Sequence, residues 1–422
     1  MTPAGRPPPI TLDDLAEPRF TEEAGSVLAM MSEVGASMSL DPEALVAEAT
    51  DQTGLHDFGA PDALSRLDLL CAALRDEARL NGAGVMAQAL FVVGLLRNRL
   101  LLEDLIGRHP EILELEVSRP IVICGLPRTG TTHLHNLISC DPALRSLPYW
   151  ESLEPVPTEG DRSGPGAEDP RRERTAAALS FVNAAMPEFK RMHEMTTDHV
   201  HEEIQLLAID VSTMLFETIA PIPSWRDHYL DRDQRPSYAY LKRVLQALQW
   251  LRGGNRWILK SPQHLEQFPA LVETFPDATF VVTHRDPVAA TTSMVTMLGY
   301  SARLSHDQVD LAWIGRYWAD RLVRMLGSCV HDRDALPPTQ SVDVHFSTFM
   351  EDDMAMVERI YDLADQPMTP EARAAMARFA EDHPRGRHGG IVYDLAPFGL
   401  DRGGLRSRLA FYADHFGIAP EA

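Results

Sequence analysis

Cysteine is scarce in this chain, which has four cysteines among 422 residues. They are Cys71, Cys124, Cys140 and Cys329, and none of them forms a C-x-x-C pair or stands at a spacing typical of metal ligands. Cys124 also lies in an apolar run that is typical of a buried strand. The sequence therefore predicts free thiols in a reducing compartment, with no disulfide framework and no cysteine-bound metal.

Long apolar runs and positively charged residues are also scarce. The longest uncharged apolar run, Asn81 to Leu96, is shorter than the ~20 residues of a membrane-spanning helix, and Met1 to Pro9 has no apolar stretch of the signal-peptide type. With 39 Lys and Arg against 61 Asp and Glu, the formal net charge is −22, which is unfavourable for neutralising nucleic-acid phosphates. We expect a cytoplasmic protein without stable membrane insertion and without a nucleic-acid partner.

The most informative segment is a short apolar run that opens directly into a glycine-containing loop. Ile121 to Cys124 is typical of a buried strand, the Gly125–Gly130 loop has the pattern Gly-x-x-x-x-Gly, and Thr131 and Thr132 follow it. The glycines allow backbone N–H groups to turn toward an anion, and a helix over His133 to Leu137 would direct its positive end to the same point. The pattern predicts a phosphate-binding loop.

This loop lacks the lysine of a nucleoside triphosphatase. A P-loop of that class has Lys and then Ser or Thr directly after the second glycine, so that the Lys reaches the outer phosphates and the hydroxyl holds Mg²⁺. Here Thr131 stands at the Lys position, and the positive charge is at Arg128 inside the loop. A P-loop kinase remains an alternative, which is disfavoured by Thr131 and by the absence of an obvious acidic Mg²⁺ ligand after a strand.

The runs Trp257 to His264 and Phe275 to Pro287 are each predicted to contain a buried strand that ends in polar groups, with a helix between the two strands. Strand, helix and strand in this order form a βαβ unit, and ligands of such sheets lie at the carboxyl ends of the strands. Lys260, Arg285 and the loop of Arg128 would meet there. We therefore predict an α/β fold with a P-loop-like central parallel β-sheet flanked by helices.

The rest of the chain is organised around this sheet. Residues 1–118 have leucines at helical spacing and are predicted to form a helical N-terminal extension packed on an α/β domain of residues 119–422; the extension either only packs on the core or also walls a pocket. The Pro- and Gly-rich segment Pro155 to Arg172 is predicted to be a mobile loop, either a lid or plain surface. Ser341 to Phe346 is a last strand candidate, and Asp394 to Phe416 a closing helical tail.

These motifs together resemble those of sulfotransferases that use 3′-phosphoadenosine 5′-phosphosulfate (PAPS), in the bacterial branch related to the cytosolic family. The Gly125–Thr132 segment resembles the 5′-phosphosulfate loop, and Arg285 with Ser293 resembles the pair that binds the 3′-phosphate. The segment from Pro384 to Gly390 resembles the basic C-terminal loop that closes over that phosphate. The resemblance spans roughly Pro120 to Gly417. It implies that the donor is bound by Arg128, Thr129, Gly130, Thr131, Thr132, His133, Arg285, Ser293, Arg385, Arg387, His388 and Gly389.

The resemblance also implies the chemistry, which is in-line transfer of SO₃ to an acceptor with adenosine 3′,5′-bisphosphate (PAP) as the leaving group and no metal. Catalysis of this kind depends on positioning and charge neutralisation. Arg128 stands where the cytosolic family has Lys, so it can neutralise charge on the leaving group but does not readily donate a proton. Lys260 matches a family Lys and could assist at the same oxygen. His133 stands where that family stacks a Trp on adenine, or is a plain surface histidine of the helix.

The base that removes the acceptor proton is less directly indicated. His264 is the first candidate, four residues after Lys260, whereas the cytosolic family has its base two residues after the motif Lys, where this chain has Pro262. His264 would lie in the first turn of a helix capped by Ser261. The alternative is Glu203 or Glu202 in the run after His199, as in more distant sulfotransferases; the same run is also typical of a solvated helix start.

The acceptor is indicated only weakly. Met and aromatic residues collect between Phe181 and Trp225, a composition that fits an apolar or lipid-like acceptor and equally a packed core. We expect a sulfotransferase acting on a hydroxyl or amine of a small or lipid-like molecule, and make no prediction of the oligomeric state. A non-catalytic PAP-binding protein is the third hypothesis, beside the kinase.

Overall fold

The computed structural model describes residues 7–161 and 168–421, and it is built around a four-stranded parallel sheet. The strands are β1 (Ile121–Gly125), β2 (Ile258–Ser261), β3 (Thr279–His284) and β4 (Ser341–His345). Their order across the sheet is β2-β1-β3-β4, and each neighbouring pair runs parallel. The chain moves from β1 to one side and then crosses back over it to β3, so β1 lies at a topological switch point, where ligands of such sheets bind. The predicted parallel sheet is confirmed.

The strands differ in burial according to their place in the sheet. Every residue of β1, β2 and β3 is buried, as expected for parallel strands that are covered on both faces. The edge strand β4 alternates buried and half-buried residues. Ile123 is in register with Lys260 on one side and with Val281 on the other, which brings the polar groups after the three strands to one edge of the sheet.

Helices cover both faces and account for most of the chain. The N-terminal ones are α1 (Glu22–Gly35), α2 (Pro42–Thr53), α3 (Asp62–Asp76) and α4 (Gly82–Arg108). Between β1 and β2 lie α5 (Thr131–Ile138), α6 (Tyr149–Leu153), α7 (Pro170–Ala185), α8 (Ile204–Ala208), α9 (Leu215–Ile219), α10 (Pro223–Asp231) and α11 (Arg235–Arg252). After β2 come α12 (Phe268–Thr274), α13 (Pro287–Ser301), α14 (Leu311–Asp332), α15 (Phe346–Glu351), α16 (Asp353–Ala364), α17 (Pro370–Asp382) and α18 (Arg402–Phe416).

The N-terminal helices share one hydrophobic core with the sheet domain. A buried ion cluster adds to this contact, because Arg66 of α3 and Arg99 of α4 both pair with Asp210, at 2.7 Å and 3.0 Å. Among the described residues, α4 is the one helix long and apolar enough to cross a membrane by length and composition. It packs on α1 and α2, and Leu96 and Leu100 are almost fully buried. In this fold, α4 serves as a core helix.

The structure departs from the sequence expectation at three places. Residues 10–20 are not helical: Ile10 forms a parallel bridge with Ile391, so its backbone groups pair outside any helix. The predicted loop from Pro155 to Arg172 lies partly outside the described residues (162–167), and α7 already begins within it, at Pro170. The segment from His199 to Glu203 is not the start of a helix, because its backbone pairs with residues 147–150 and α8 begins only at Ile204.

Candidate active site

The loop between β1 and α5 depends on its two glycines. A Cβ on Gly125 would lie 1.9 Å from the Thr283 hydroxyl oxygen on β3, and Gly130 has a φ of +87°, a left-handed conformation that glycine adopts without strain. Arg128 is also left-handed, with φ +73°, which is costly for a residue with a side chain and persists only where its surroundings hold it. The buried hydroxyl of Thr129 lies 2.7 Å from that of Thr283, which fixes the loop to β3.

The first turn of α5 contributes two hydroxyls and its free backbone amides. Thr131 is buried and Thr132 is half-buried, and Gly130 before them provides no side-chain cap. The N–H groups of a first helical turn have no partner within the helix, and the helix dipole makes this end attractive to anions. The segment therefore has the local structure of the predicted phosphate cradle.

Three of the predicted donor-binding residues meet beside this loop. The Arg128 guanidinium donates from Nε to the Ser293 hydroxyl at 3.1 Å and from Nη1 to the Met192 carbonyl. Arg285 donates to the backbone carbonyl of Arg128 at 2.6 Å. The Ser293 hydroxyl in turn donates to the phenol oxygen of Tyr393 at 2.8 Å. Two arginines and a buried serine from three separate segments thus lie within one hydrogen-bonded group.

The Arg285 guanidinium binds a carboxylate. Glu421, from the segment after α18, accepts two hydrogen bonds from the Arg285 guanidinium, both of 2.6 Å, and its own backbone N–H donates to Asp286 at 2.7 Å. The guanidinium also lies over the Phe346 ring, 4.2 Å from its centroid. Two parallel N–H···O bonds are the geometry with which arginine binds carboxylates and phosphates alike, so Arg285 is arranged to hold a doubly hydrogen-bonded anion.

The basic loop is held by carboxylates as well. Arg385 meets Asp353 at 2.9 Å, and the His133 ring nitrogen Nε2 lies 2.8 Å from the same carboxylate. Farther along the loop, Arg387 and His388 both contact Glu194, at 2.6 Å and 3.0 Å. Gly389 ends the loop with φ +83°. His133 lies beside α15 and the basic loop; adenine stacking by its ring stays a prediction.

Lys260 and the two candidate glutamates form a second group at the end of β2. Lys260 is buried and its ammonium pairs with Glu202. Glu203 is buried as well, and one of its oxygens accepts from the backbone N–H of Lys260 at 2.9 Å, while the other pairs with His264 Nε2. The remaining ring nitrogen of His264 lies 2.8 Å from the Tyr238 hydroxyl. His264 and Glu203 therefore use their polar atoms on each other and on the scaffold.

The segment after β2 is a 3₁₀ helix, Pro262–Glu266, and not an α-helix. It begins as predicted, with the Ser261 hydroxyl accepting from the Gln263 N–H at 3.3 Å. Glu266 at its end binds the Arg321 guanidinium of α14 through two bonds of 2.6 Å and 2.7 Å, and Arg321 also binds Glu217 at 2.8 Å. All three side chains are almost fully buried, so this ion cluster fixes the position of the residues that follow Lys260.

Several histidines that were not predicted as site residues lie near Lys260. The rings of His193 and His199 have centroids 5.1 Å apart, and those of His199 and His201 are 6.1 Å apart. The ring of Tyr149 on α6 lies at the end of this row, with its centroid 4.7 Å from that of His201. The spacing of His199 and His201, two residues apart, was the one available signal, because such residues share a face when the segment is extended.

These imidazoles are held neutral. Burial lowers the pKa of His193, His199 and His201, and the nearby Lys260 ammonium lowers each of them further. For His199 the pKa falls to about 4, and burial also lowers the pKa of His135 on α5, with Lys260 adding to the effect. Around neutral pH the group presents uncharged rings next to a lysine cation.

This burial predicts a dependence of stability on pH. Unfolded histidines titrate near pH ~6.5 and the folded ones at lower pH, so the unfolded chain binds more protons between these values and the free energy of unfolding falls as the pH is lowered through this window. Each fully shifted imidazole contributes a slope of about 1.4 kcal/mol per pH unit. Urea unfolding in a pH series measures it. Changing His193 and His201 to Asn should flatten the slope, and an unfolding free energy that is constant across the window would contradict the argument.

The described residues contain no group of three or more His, Cys, Asp or Glu side chains arranged to hold a metal ion. The four cysteines, all in the described part of the chain, are free. The side chains that meet at the site are arginines, a lysine, hydroxyls and imidazoles, beside the backbone amides of the first turn of α5. Such a set suits an anionic ligand whose charge is neutralised at several points.

The sheet and its site define a class, an α/β protein whose glycine-containing loop after β1 has an arginine within it and is followed by Thr131 and Thr132 at the start of α5. Within that class, the profile of the sulfotransferase family matches residues 120–370, which is more than half of the chain. The chain belongs to the sulfotransferase family, as its motifs predicted.

Solved structures agree with this membership. Sulfotransferase STF1 from Mycobacterium tuberculosis H37Rv is 30% identical, with a TM-score of 0.75 over 87% of this chain and 98% of that one. Sulfotransferase STF9 from Mycobacterium avium is 27% identical, with a TM-score of 0.80 over 90% of this chain and 97% of that one. None of the curated proteins compared with the chain matches it significantly. These coverages exceed the share of the chain that follows residue 118, so the similarity to both structures reaches into the N-terminal helical region.

Proposed function

We propose that this sulfotransferase uses PAPS as its donor and transfers the sulfonate group to a hydroxyl or amine of a small or lipid-like acceptor, without a metal, in the cytoplasm. The proposal is carried by one observation. Arg128, Ser293 and Arg285 form one hydrogen-bonded group at the carboxyl end of β1, where a donor with a 5′-phosphosulfate and a 3′-phosphate would be held at both ends. Arg285 holds a carboxylate through two parallel hydrogen bonds, which is the geometry that a 3′-phosphate would need.

In this proposal each group has a distinct task. The loop amides and the Thr131 and Thr132 hydroxyls hold the 5′-phosphosulfate, and Arg128 neutralises the charge that develops on the departing phosphate oxygen. Lys260, at the carboxyl end of β2, adds positive charge on the sulfonate side while it stays paired with Glu202. Arg285 and Ser293 fix the 3′-phosphate, and the basic loop with Arg385 and Arg387 covers it. Positioning and charge neutralisation are the main contributions to such transfers.

The proposed preference for an apolar or lipid-like acceptor has less support than the proposed donor. Several Met and aromatic residues between Phe181 and Trp225 favoured an apolar acceptor, but Met186, Met192, Met214, Phe216 and Trp225 are buried in the main hydrophobic core. These five fill the interior rather than line an open surface. Support for an apolar or lipid-like acceptor therefore reduces to the half-buried members of the segment, Phe181, Phe189 and Met195.

Calorimetric titration of the purified protein tests the donor. We expect PAP to bind without metal and ATP with Mg²⁺ to bind more weakly or not at all. Preferred binding of ATP with Mg²⁺ would support the P-loop kinase in its place. PAP binding without any PAP formation from PAPS, over a broad panel of alcohols, phenols and amines, would support the non-catalytic binding protein.

Arg128→Ala should reduce turnover far more than PAP affinity. The guanidinium neutralises charge that appears only as the sulfur–oxygen bond breaks, so its contribution is larger in the transition state than in the ground state. We expect a loss of ~10²–10³-fold in kcat, the magnitude seen when one preorganised donor is removed from a developing anion, and a change in the PAP dissociation constant of only a few fold. Normal turnover in this variant would remove Arg128 from the mechanism.

A further inference from the structure

The acceptor must lose a proton during the transfer, and the structure limits which group can take it. Both oxygens of Glu203 and both ring nitrogens of His264 are used within the scaffold. Glu202 is paired with the Lys260 ammonium. These contacts direct the search for a base to residues outside this group, and the inference rests on the proposed function.

His199 is placed by backbone pairing. The Tyr149 N–H donates to the His199 carbonyl at 2.9 Å, and the His201 N–H donates to the Leu147 carbonyl at 2.7 Å. Pro148 and Val200 form an antiparallel bridge between the same two segments. Because the segment is extended, His199 and His201 point to one face and Val200 to the other. The His199 side chain is thus fixed on that face by its backbone, without a hydrogen bond from its ring.

The side chains of His193, His199 and His201 are all half-buried. His201 packs on Tyr149 with its Nδ1 buried, whereas neither ring nitrogen of His199 has a hydrogen-bond partner among the described residues. The charged and titratable groups around it are Lys260 from β2, Glu194, His193 and His201. The pKa of about 4, lowered by burial and by Lys260, leaves the ring neutral and able to accept a proton, and the negative charge of a bound donor would increase its affinity for one.

We propose that the His199 imidazole is the general base that takes the proton of the acceptor. The acceptor oxygen forms a bond to the sulfur while the bond between sulfur and the 5′-phosphate oxygen breaks, and that electron pair leaves with PAP. The acceptor O–H proton passes to the free ring nitrogen of His199, and the resulting imidazolium returns it to solvent. No oxidant, metal or further reactant is needed.

Acceptors of different acidity test this assignment. At mildly alkaline pH 4-nitrophenol is mostly ionised and needs no base, whereas 4-methoxyphenol keeps its proton. PAP formation from PAPS is followed in single turnovers with each phenol and with water alone. His199→Gln should slow transfer to 4-methoxyphenol by ~10²–10³-fold, within the range for loss of a general base, and transfer to 4-nitrophenol by only a few fold.

His201→Gln is the matched control, because it shares the segment, the face and the burial but should cost only a few fold with either phenol. His199→Ala provides a second variant, in which added imidazole should restore transfer to 4-methoxyphenol without changing PAP binding. Equal losses with the two phenols, or full activity of His199→Gln with 4-methoxyphenol, would overturn the assignment. If the wild-type protein binds PAP but forms none from PAPS with water or with any of the broad panel of alcohols, phenols and amines, the proposed function fails and the inference fails with it.

Discussion

Replacing Arg285 by alanine is expected to weaken PAP binding by at least ~30-fold while leaving adenosine 5′-phosphosulfate within about threefold. Hydrogen bonds to charged groups contribute ~1.5–3 kcal/mol each, and the half-buried Arg285 is assigned to the 3′-phosphate, which only PAP carries. The two-bond arrangement that holds Glu421 at 2.6 Å shows that the guanidinium is already oriented for an anion. Calorimetry with both ligands measures the difference, and equal losses would reject the assignment.

Glu421→Gln is the informative control for this prediction. In the proposed binding mode the 3′-phosphate replaces the Glu421 carboxylate on Arg285, so part of the binding free energy is offset by the lost ion pair. Removing that negative charge should tighten PAP binding several fold, whereas Arg285→Ala weakens it. Adenosine 5′-phosphosulfate should be insensitive to Glu421→Gln. Weaker PAP binding in Glu421→Gln would mean that this segment supports the ligand rather than competes with it.

The central sheet was predictable because its signals are local. Each strand is a short apolar run with polar residues directly after it, and parallel pairing forces those residues to one edge. β1 and β4 begin and end within one residue of the predicted runs, and β2 and β3 lie inside the two runs that were predicted to contain them. The loop after β1 was also predictable, because its glycines and the helix that follows them are consecutive in the sequence.

The groups that occupy the site could not be predicted in the same way. Glu421 and Asp353 stand 136 and 32 residues from the arginines that they hold, and no sequence spacing relates such pairs. The His199 segment was misjudged for a related reason. Its composition is compatible with the start of a helix. Its backbone instead forms hydrogen bonds with residues 147–149, so tertiary pairing overrides the local preference and makes the segment extended.

Arg321→Met should be the most destabilising of the substitutions considered, by about 3–5 kcal/mol, the cost of removing one partner from a buried ion pair. Glu217 and Glu266 would stay in the interior without their common cation. Arg324→Met on the same helix is the control, because that arginine is exposed and its contact with Asp231 is 3.9 Å long; it should change the unfolding free energy by less than ~1 kcal/mol.

Whether the loss of stability in Arg321→Met comes from uncompensated buried charge can be tested separately from its magnitude. Burial already raises the pKa of Glu217, and without Arg321 the carboxylates become neutral more readily, so the deficit in unfolding free energy should shrink as the pH is lowered. Adding Glu217→Gln and Glu266→Gln to Arg321→Met should also recover much of the stability, because no buried charge is then left uncompensated. A deficit that is constant with pH and not recovered in the triple variant would point to lost packing instead. Because Glu266 ends the segment that follows Lys260, a triple variant that folds but transfers slowly would show that the ion cluster also positions the lysine.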